Sequence, residues 1–387
     1  MKSQIAVTRR TSLLLLVAIV GSSFVLMTSA CRERKPEEIS IGSVLALTGS
    51  ASVWGENTRN GMELALEEVN AAGGVGGKQL RVIYEDSKSE PRVAVDALRK
   101  VISANRVPAV IGDIASSNVL AMAPVAESEK VALISPGASN PDISFSGDYI
   151  FRNFPSDALE GTVDGEYASK QLGWRKVAVL NIKNAYGEGV ARVFREAFKA
   201  AGGEVALDDA FDQGAIDFRG ILTKVKGAAL DGVFLAGYPD EMAKLLIQAK
   251  ELGVTTPFLS TQAFDDPQVL KIAGQAADGV TFSTPAPPAA TDPVVAAFRE
   301  KYKRKYGKEP GLMSDTGYDA LKIIALAIER GGYTADGIKA QLANLKSFRG
   351  AAGLTSFDKN GDVARPVMFK VVKNGQFADL GYRVEPR

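Results

Sequence analysis

A chain of 387 residues is long for a single core, so two domains are the starting expectation. With 46% hydrophobic and 24% charged residues its composition is ordinary for a globular protein, and a formal charge of +1 supplies no basic field for nucleic acid. The chain has no histidine and one cysteine, Cys31, which excludes imidazole metal ligands, histidine-dependent nucleophilic catalysis and an intrachain disulfide.

Lys2, Arg9 and Arg10 precede an apolar run over 13–27 that is broken by Gly21-Ser22-Ser23. The run is too short and interrupted to read as a membrane span. Its layout is that of an export signal over 1–30. Thr28-Ser29-Ala30-Cys31 resembles a lipoprotein lipobox, with Thr28 where leucine is usual, so Cys31 is the expected lipidation site; ordinary cleavage leaving a free thiol is the alternative. Thr8-Arg9-Arg10 also carries a weak twin-arginine signal. Residues 31–38 then read as a short charged tether.

From residue 39 the pattern alternates between strand and helix. A strand over 39–47 leads into a small-residue turn, Thr48-Gly49-Ser50-Ala51-Ser52, holding Trp54. A helix follows over 57–72 and stops at Gly73-Gly74. Strands are expected at 79–86, 108–112 and 131–135, with helices at 91–103 and 117–129 between them. A seam falls at Phe154-Pro155-Ser156. A second run of similar units follows: 176–182, 187–201, 204–211, 218–229, 231–236, 240–252, 257–260 and 278–284. Helices over 293–306, 315–331 and 335–345 come next. The end reads as a hairpin, 366–373 and 376–382, about an Asn374-Gly375 turn. Alternating units of this kind imply parallel sheets covered by helices on both faces. Residues 284–291, TPAPPAAT, are the most linker-like internal segment and would return the chain from the second lobe to the first.

Several motifs fail their tests. GGVGGK over 73–78 has Ala72 and Gln79 where a phosphate loop needs glycine and a hydroxyl, and it leaves a helix rather than a strand. Gly187-Glu188-Gly189 lacks the third glycine of the dinucleotide fingerprint, since Arg192 stands there. DKNGD over 358–362 lacks the later ligands of a calcium loop and reads as a polar turn. The cationic run 299–308, REKYKRKYGK, reads as a solvated face.

What survives is a set of loops at the carboxyl ends of strands, rich in small hydroxyl residues: Thr48–Ser52, 114–117, 135–141 and 258–262. Open α/β sheets place ligands there. Any one such serine is explained as a helix cap. Together with Trp54 and Tyr186 they suggest a cleft that takes a carboxylate on hydroxyls and helix N-termini, with no activated nucleophile and no metal cluster beside it.

LTGSASVWG, EEVNAAGGVGGKQLRVIYEDS, IGDIASS, ISPGASNP, NAYGEGV, LAGYPDEM and FDKNGD follow one another in the order seen in the periplasmic leucine/isoleucine/valine-binding proteins, and the chain resembles that family throughout. The resemblance implies an α/β protein of two Rossmann-like lobes with parallel sheets joined by three crossovers, the type I solute-receptor fold, closing like a flytrap on its ligand. It implies a first lobe of 39–155 and 286–364 and a second of 156–285 and 365–387. It implies an exported, lipid-anchored receptor with no cofactor, which serves an ABC permease and ATPase. By the same resemblance Trp54 packs on the ligand side chain, and Ser116 and Ser139 take its carboxylate. Ser117, Gly137 and Ala138 belong to the same loops. Asp157 is an acid near the hinge, and Tyr186 and Tyr238 close over the ligand.

Gln262 departs from the pattern, because amino-acid-binding members place glutamate there against the ligand ammonium. Asp157, Asp240 or Asp315 would have to supply the charge; otherwise the ligand is an aromatic or aliphatic acid or an amide. A receptor for a small apolar amino acid, a receptor for an organic acid and a ligand-sensing subunit of a signalling system are therefore the readings carried forward, with an enzyme the weakest.

Overall fold

The computed structural model describes residues 37–386. The export signal, Cys31 and all but the end of the tether lie outside the described residues. The first lobe is built from β1 (Glu38–Leu45), α1 (Ser52–Ala71), β2 (Gln79–Asp86), α2 (Pro91–Asn105), β3 (Ala109–Gly112), α3 (Ser116–Ser128), β4 (Ala132–Ser135) and β5 (Ile150–Arg152). Its strands are parallel, in the order β2-β1-β3-β4-β5.

The second lobe repeats the plan with α4 (Asp157–Lys170), β6 (Lys176–Ile182), α5 (Ala185–Ala200), β7 (Glu204–Phe211), α6 (Arg219–Gly227), β8 (Gly232–Ala236), α7 (Pro239–Glu251), β9 (Phe258–Ser260), α8 (Pro267–Ala273) and β10 (Thr281–Pro285). Its order, β7-β6-β8-β9-β10, is that of the first lobe, and β13 (Val367–Lys373) and β14 (Gln376–Val384) extend it. The core strands β3, β4 and β8 are buried along their whole length, as parallel strands between two helical layers must be.

The second sheet is not wholly parallel: β13 runs antiparallel to β10, and β14 to β13. The expected hairpin accounts for the β13–β14 pair. Asn374 and Gly375 take φ of +52° and +70°, and a two-residue turn of that hand can join only antiparallel neighbours.

The chain crosses between the sheets after β5, after β10 and again before β13. Between the last two crossings lie α9 (Pro293–Tyr306), α10 (Ser314–Gly331), α11 (Ala335–Ala343) and the small hairpin β11 (Phe348–Gly350) with β12 (Gly353–Thr355). Helix α10 packs on α1 so closely that a Cβ on Gly61 would lie 1.9 Å from the Ser314 carbonyl oxygen. The cations of 299–308 are not a free solvated face. Lys301 pairs with Glu68 at 2.7 Å, Lys305 with Glu67 at 2.5 Å and Lys308 with Glu56 at 3.1 Å, tying the segment to the acidic side of α1.

Two further differences have local causes. Helix α1 starts at Ser52, five residues before its apolar spacing begins, so Trp54 lies in its first turn. The Ala51 N–H there donates to Ser89 Oγ at 3.1 Å, a cap supplied from the next βα loop. Helix α4 escapes the periodicity because its inward face carries Asp157, Glu160 and Asp164 where apolar residues would have marked it. GGVGGK forms the expected tight exit, with Gly73, Gly74, Gly76 and Gly77 all at positive φ.

Candidate ligand site

In each lobe the strand order reverses beside the first strand, and that switch point opens a crevice at the carboxyl ends. In the first lobe it lies between β1 and β3, whose following helices begin with Ser52 and Ser116. In the second it lies between β6 and β8, followed by helices beginning at Ala185 and Pro239. Trp54, Ser116, Tyr186 and Tyr238 therefore sit at four helix N-termini around two facing crevices.

The two lobes meet over this point. Trp54 Nε1 donates to Asp266 Oδ2 at 2.9 Å, and its ring meets the Tyr238 ring edge-on at 5.2 Å between centroids. Gln213 Nε2 donates to Ser50 Oγ at 2.6 Å, Arg192 pairs with Asp142 at 2.8 Å, and the Ala185 N–H donates to Ser117 Oγ at 3.0 Å. Gly189 lies against Asn140, where a Cβ would sit 2.4 Å from the Asn140 side chain. Gly189 thus serves approach between lobes, and Gly187 serves close packing on Ile182 of its own lobe, rather than a phosphate.

Trp54, Ser116, Gly137, Ser139, Tyr186, Tyr238 and Gln262 line one pocket, with Ile114, Ala263, Leu312 and Met313. Its space is about 20 Å³, against roughly 10–15 Å³ for one water, so a ligand enters only as the walls part. Tyr186 and Tyr238 stack 5.9 Å apart, and the Tyr186 hydroxyl lies 2.6 Å from Thr261 Oγ1. Burial raises the pKa of both phenols, keeping them neutral.

The polar groups divide by lobe. Ser116 Oγ accepts from the Ser139 and Asn140 N–H groups, each at 3.2 Å. Its lone pairs are thereby occupied and its proton is left for another acceptor. On the other side Gln262 Nε2 donates to Asp157 Oδ1 at 3.1 Å, so the amide oxygen is the end left for the pocket. Asp157 Oδ2 accepts from Ser139 Oγ at 2.9 Å, which commits the Ser139 proton away from the pocket.

Behind Gln262 is a closed acidic cluster. Glu160 Oε1 accepts from the Gln262 N–H at 2.6 Å and lies 2.8 Å from Ser283 Oγ, which is also 3.1 Å from Asp164 Oδ2. The Ser283 hydroxyl is thus shared between the two carboxyl groups, with the shorter contact to Glu160. Burial pushes Glu160 well above the usual range, helped by the charges of Asp157 and Asp164, and burial with Asp157 does the same to Asp164. Asp157 rises only to about 6. Its burial is offset by hydrogen bonds from Ser139, Glu160 and Gln262 and by the charge of Arg152. Of the three it is the group that carries charge at neutral pH.

Three of the expected site residues stand off the pocket. Ala138 is fully buried and its N–H donates to Ser135 Oγ at 2.9 Å, and Ser117 holds Ala185 across the lobes. Asp157 lies one layer behind the wall. Ile114 and Ala263 adjoin residues already singled out, whereas Leu312 and Met313 come from a loop with no motif. Only Pro310-Gly311 ahead of a helix start marked that loop as a turn. Among the described residues no group of acids and cysteines is arranged to hold a metal ion.

Residues 38–376 match the family described as periplasmic binding protein. The leucine-, isoleucine-, valine-, threonine- and alanine-binding protein of Pseudomonas aeruginosa is 31% identical over 328 residues, 84% of this chain and 87% of that one. A leucine-binding protein of Thermotoga maritima has a similar structure, with a TM-score of 0.85 and 32% identity over 90% of this chain and 99% of its own. So does a branched-chain amino-acid transporter substrate-binding protein of Streptococcus pneumoniae in complex with isoleucine, at a TM-score of 0.83 and 30% identity over 90% of this chain and 100% of that one.

Proposed function

Because the chain belongs to the periplasmic binding protein family, we propose that it is the extracytoplasmic receptor of an ABC transporter and captures a small apolar α-amino acid as the zwitterion. The observation that carries this reading is the split polarity of the pocket. The first lobe offers a donor, the free proton of Ser116, at the N-terminus of α3, where the helix dipole also favours a carboxylate. The second offers an acceptor, the Gln262 amide oxygen, backed by the Asp157 charge. Ammonium and carboxylate find complementary ends, and Trp54, Tyr186, Tyr238, Ile114, Leu312 and Met313 surround an apolar side chain.

On this reading the charge that Gln262 lacks comes from Asp157, whose carboxylate already accepts from the Gln262 amide. The reading extends to delivery of the ligand to a permease and ATPase, and to anchoring through a lipid on Cys31. No helix among the described residues is long and apolar enough to cross a membrane. Calorimetry on the Cys31→Ser protein tests the ligand class directly. Saturable heat is expected with leucine, isoleucine or valine, and none with 4-methylpentanoic acid, which keeps the carboxylate and side chain of leucine but lacks the ammonium. Binding of the acid and not of leucine would replace this reading with the organic-acid one.

A further inference from the structure

A second cavity, of about 420 Å³, lies at the crossovers beside the ligand pocket. Its walls include Pro285, Pro287 and Pro288 of the chain leaving β10, with Val295 and Phe298 of α9. Proline fixes φ and the aromatic wall is packed, so this space is held open by rigid elements. Among the described residues Leu312 is the only one that lines both this cavity and the ligand pocket.

The other walls of the pocket have little room to give. Trp54 is held by Asp266 and Tyr186 by Thr261, while Gln262 is bonded to Asp157 and backs on a void of only about 10 Å³. Leu312 is half-buried and backs on open volume. It stands between Pro310-Gly311 and Met313, which takes φ of +69° just ahead of α10, so its backbone is anchored while its side chain divides the two spaces.

We propose that Leu312 is the residue that sets the upper limit on ligand side-chain length, and that the cavity behind it is a subsite for the end of a longer apolar side chain when that partition is removed. This rests on the amino-acid reading above. Continuity through Leu312 names the occupant: the distal carbons of the same ligand whose polar end lies between Ser116 and Gln262. Each methylene buried there strengthens binding about fourfold.

The test is a length series of straight-chain α-amino acids, 2-aminobutanoate, norvaline, norleucine and 2-aminooctanoate, titrated into the Cys31→Ser protein with Leu312, Leu312→Ala or Leu312→Phe. With Leu312 affinity should rise with length and then fall sharply at 2-aminooctanoate. Leu312→Ala should move the optimum to 2-aminooctanoate, about fifteen-fold tighter than norleucine binds the Leu312 protein, from two further methylenes. Leu312→Phe should lose norleucine and keep 2-aminobutanoate. The same length profile in all three proteins, or a Leu312 protein whose affinity climbs through 2-aminooctanoate, overturns the partition while leaving the amino-acid reading intact. Absence of binding by every member to the Leu312 protein overturns that reading and the partition with it.

Discussion

The indole N–H of Trp54, in the first turn of the first helix, donates to the carboxylate of Asp266 in the second lobe at 2.9 Å. The residue expected to wall the ligand is therefore also a latch between lobes. A hydrogen bond to a carboxylate is worth about 1.5–3 kcal/mol where it forms. Trp54→Phe should keep the apolar wall and release the latch, speeding ligand dissociation about tenfold with a smaller effect on association. Asp266→Ala should do the same, and the double variant should add little to either, as expected of two ends of one bond. Stopped-flow release of leucine checks all three. Additive effects would show that the two residues act separately.

The acidic cluster makes affinity and stability respond to pH in opposite directions. Asp157 titrates near 6 in the folded protein against 3.8 as its ordinary value. Between those limits the folded chain holds a proton that the unfolded chain has lost. This contribution to stability is fullest below about pH 4 and is lost as pH rises through 6. Ligand ammonium favours the ionised form, so leucine affinity should fall as pH drops through 6. Glu160 and Asp164 on the same helix, Arg152 on β5 and Tyr186 on α5 face this group, and burial holds Glu160 and Asp164 well above the usual carboxylate range. Asp157→Asn should weaken binding at pH 7.5 and flatten the pH profile of the affinity between 5 and 7.5. A profile unchanged by the substitution would place the titration elsewhere.

Gln262 and Ser116 should matter as the two polar ends of one ligand. Gln262→Leu removes the acceptor with little change in volume, and Ser116→Ala removes the donor. Each is expected to weaken leucine binding about tenfold to a hundredfold, the range for a hydrogen bond to a charged group. Titration with leucinamide, which lacks the carboxylate charge, separates the ends: its affinity should drop with Gln262→Leu and change little with Ser116→Ala.

Gly61 should be intolerant of any side chain. The Ser314 carbonyl oxygen occupies the place of its Cβ, so Gly61→Ala must push α10 away from α1. Urea unfolding is expected to show a loss of about 1–3 kcal/mol, typical of an overpacked contact. Met313 and Leu312 lie at the start of α10, so the same shift should weaken ligand binding. A variant as stable as the parent would mean that the helices separate at no cost.

The α/β character and the position of the site were legible because both follow from local chemistry. Hydrophobic alternation marks each βα unit, glycines mark the helix exits, and the small hydroxyl loops mark the carboxyl ends of strands. Trp54 and Tyr186 stood out in that way and Ser116 and Gln262 lay in those loops, whereas Tyr238 was singled out only by the family resemblance. Helix α4 did not stand out, since Asp157, Glu160 and Asp164 read as solvent-facing residues until they are placed against Ser139, Gln262 and Ser283. Nor did a local pattern distinguish Ser117, Ala138 and Ser139, which share adjacent loops and serve three different partners.

By itself the sequence determined two α/β runs, their hairpin end and a ring of residues suited to a small carboxylate, because these depend on neighbours a few positions apart. Tertiary structure alone decided that Trp54 bonds Asp266, that Asp157 stands behind Gln262 and that Leu312 divides two cavities. Those relations join residues from different crossings of the hinge. Their energies come from burial and from partners that the chain brings together only when both lobes are folded and closed.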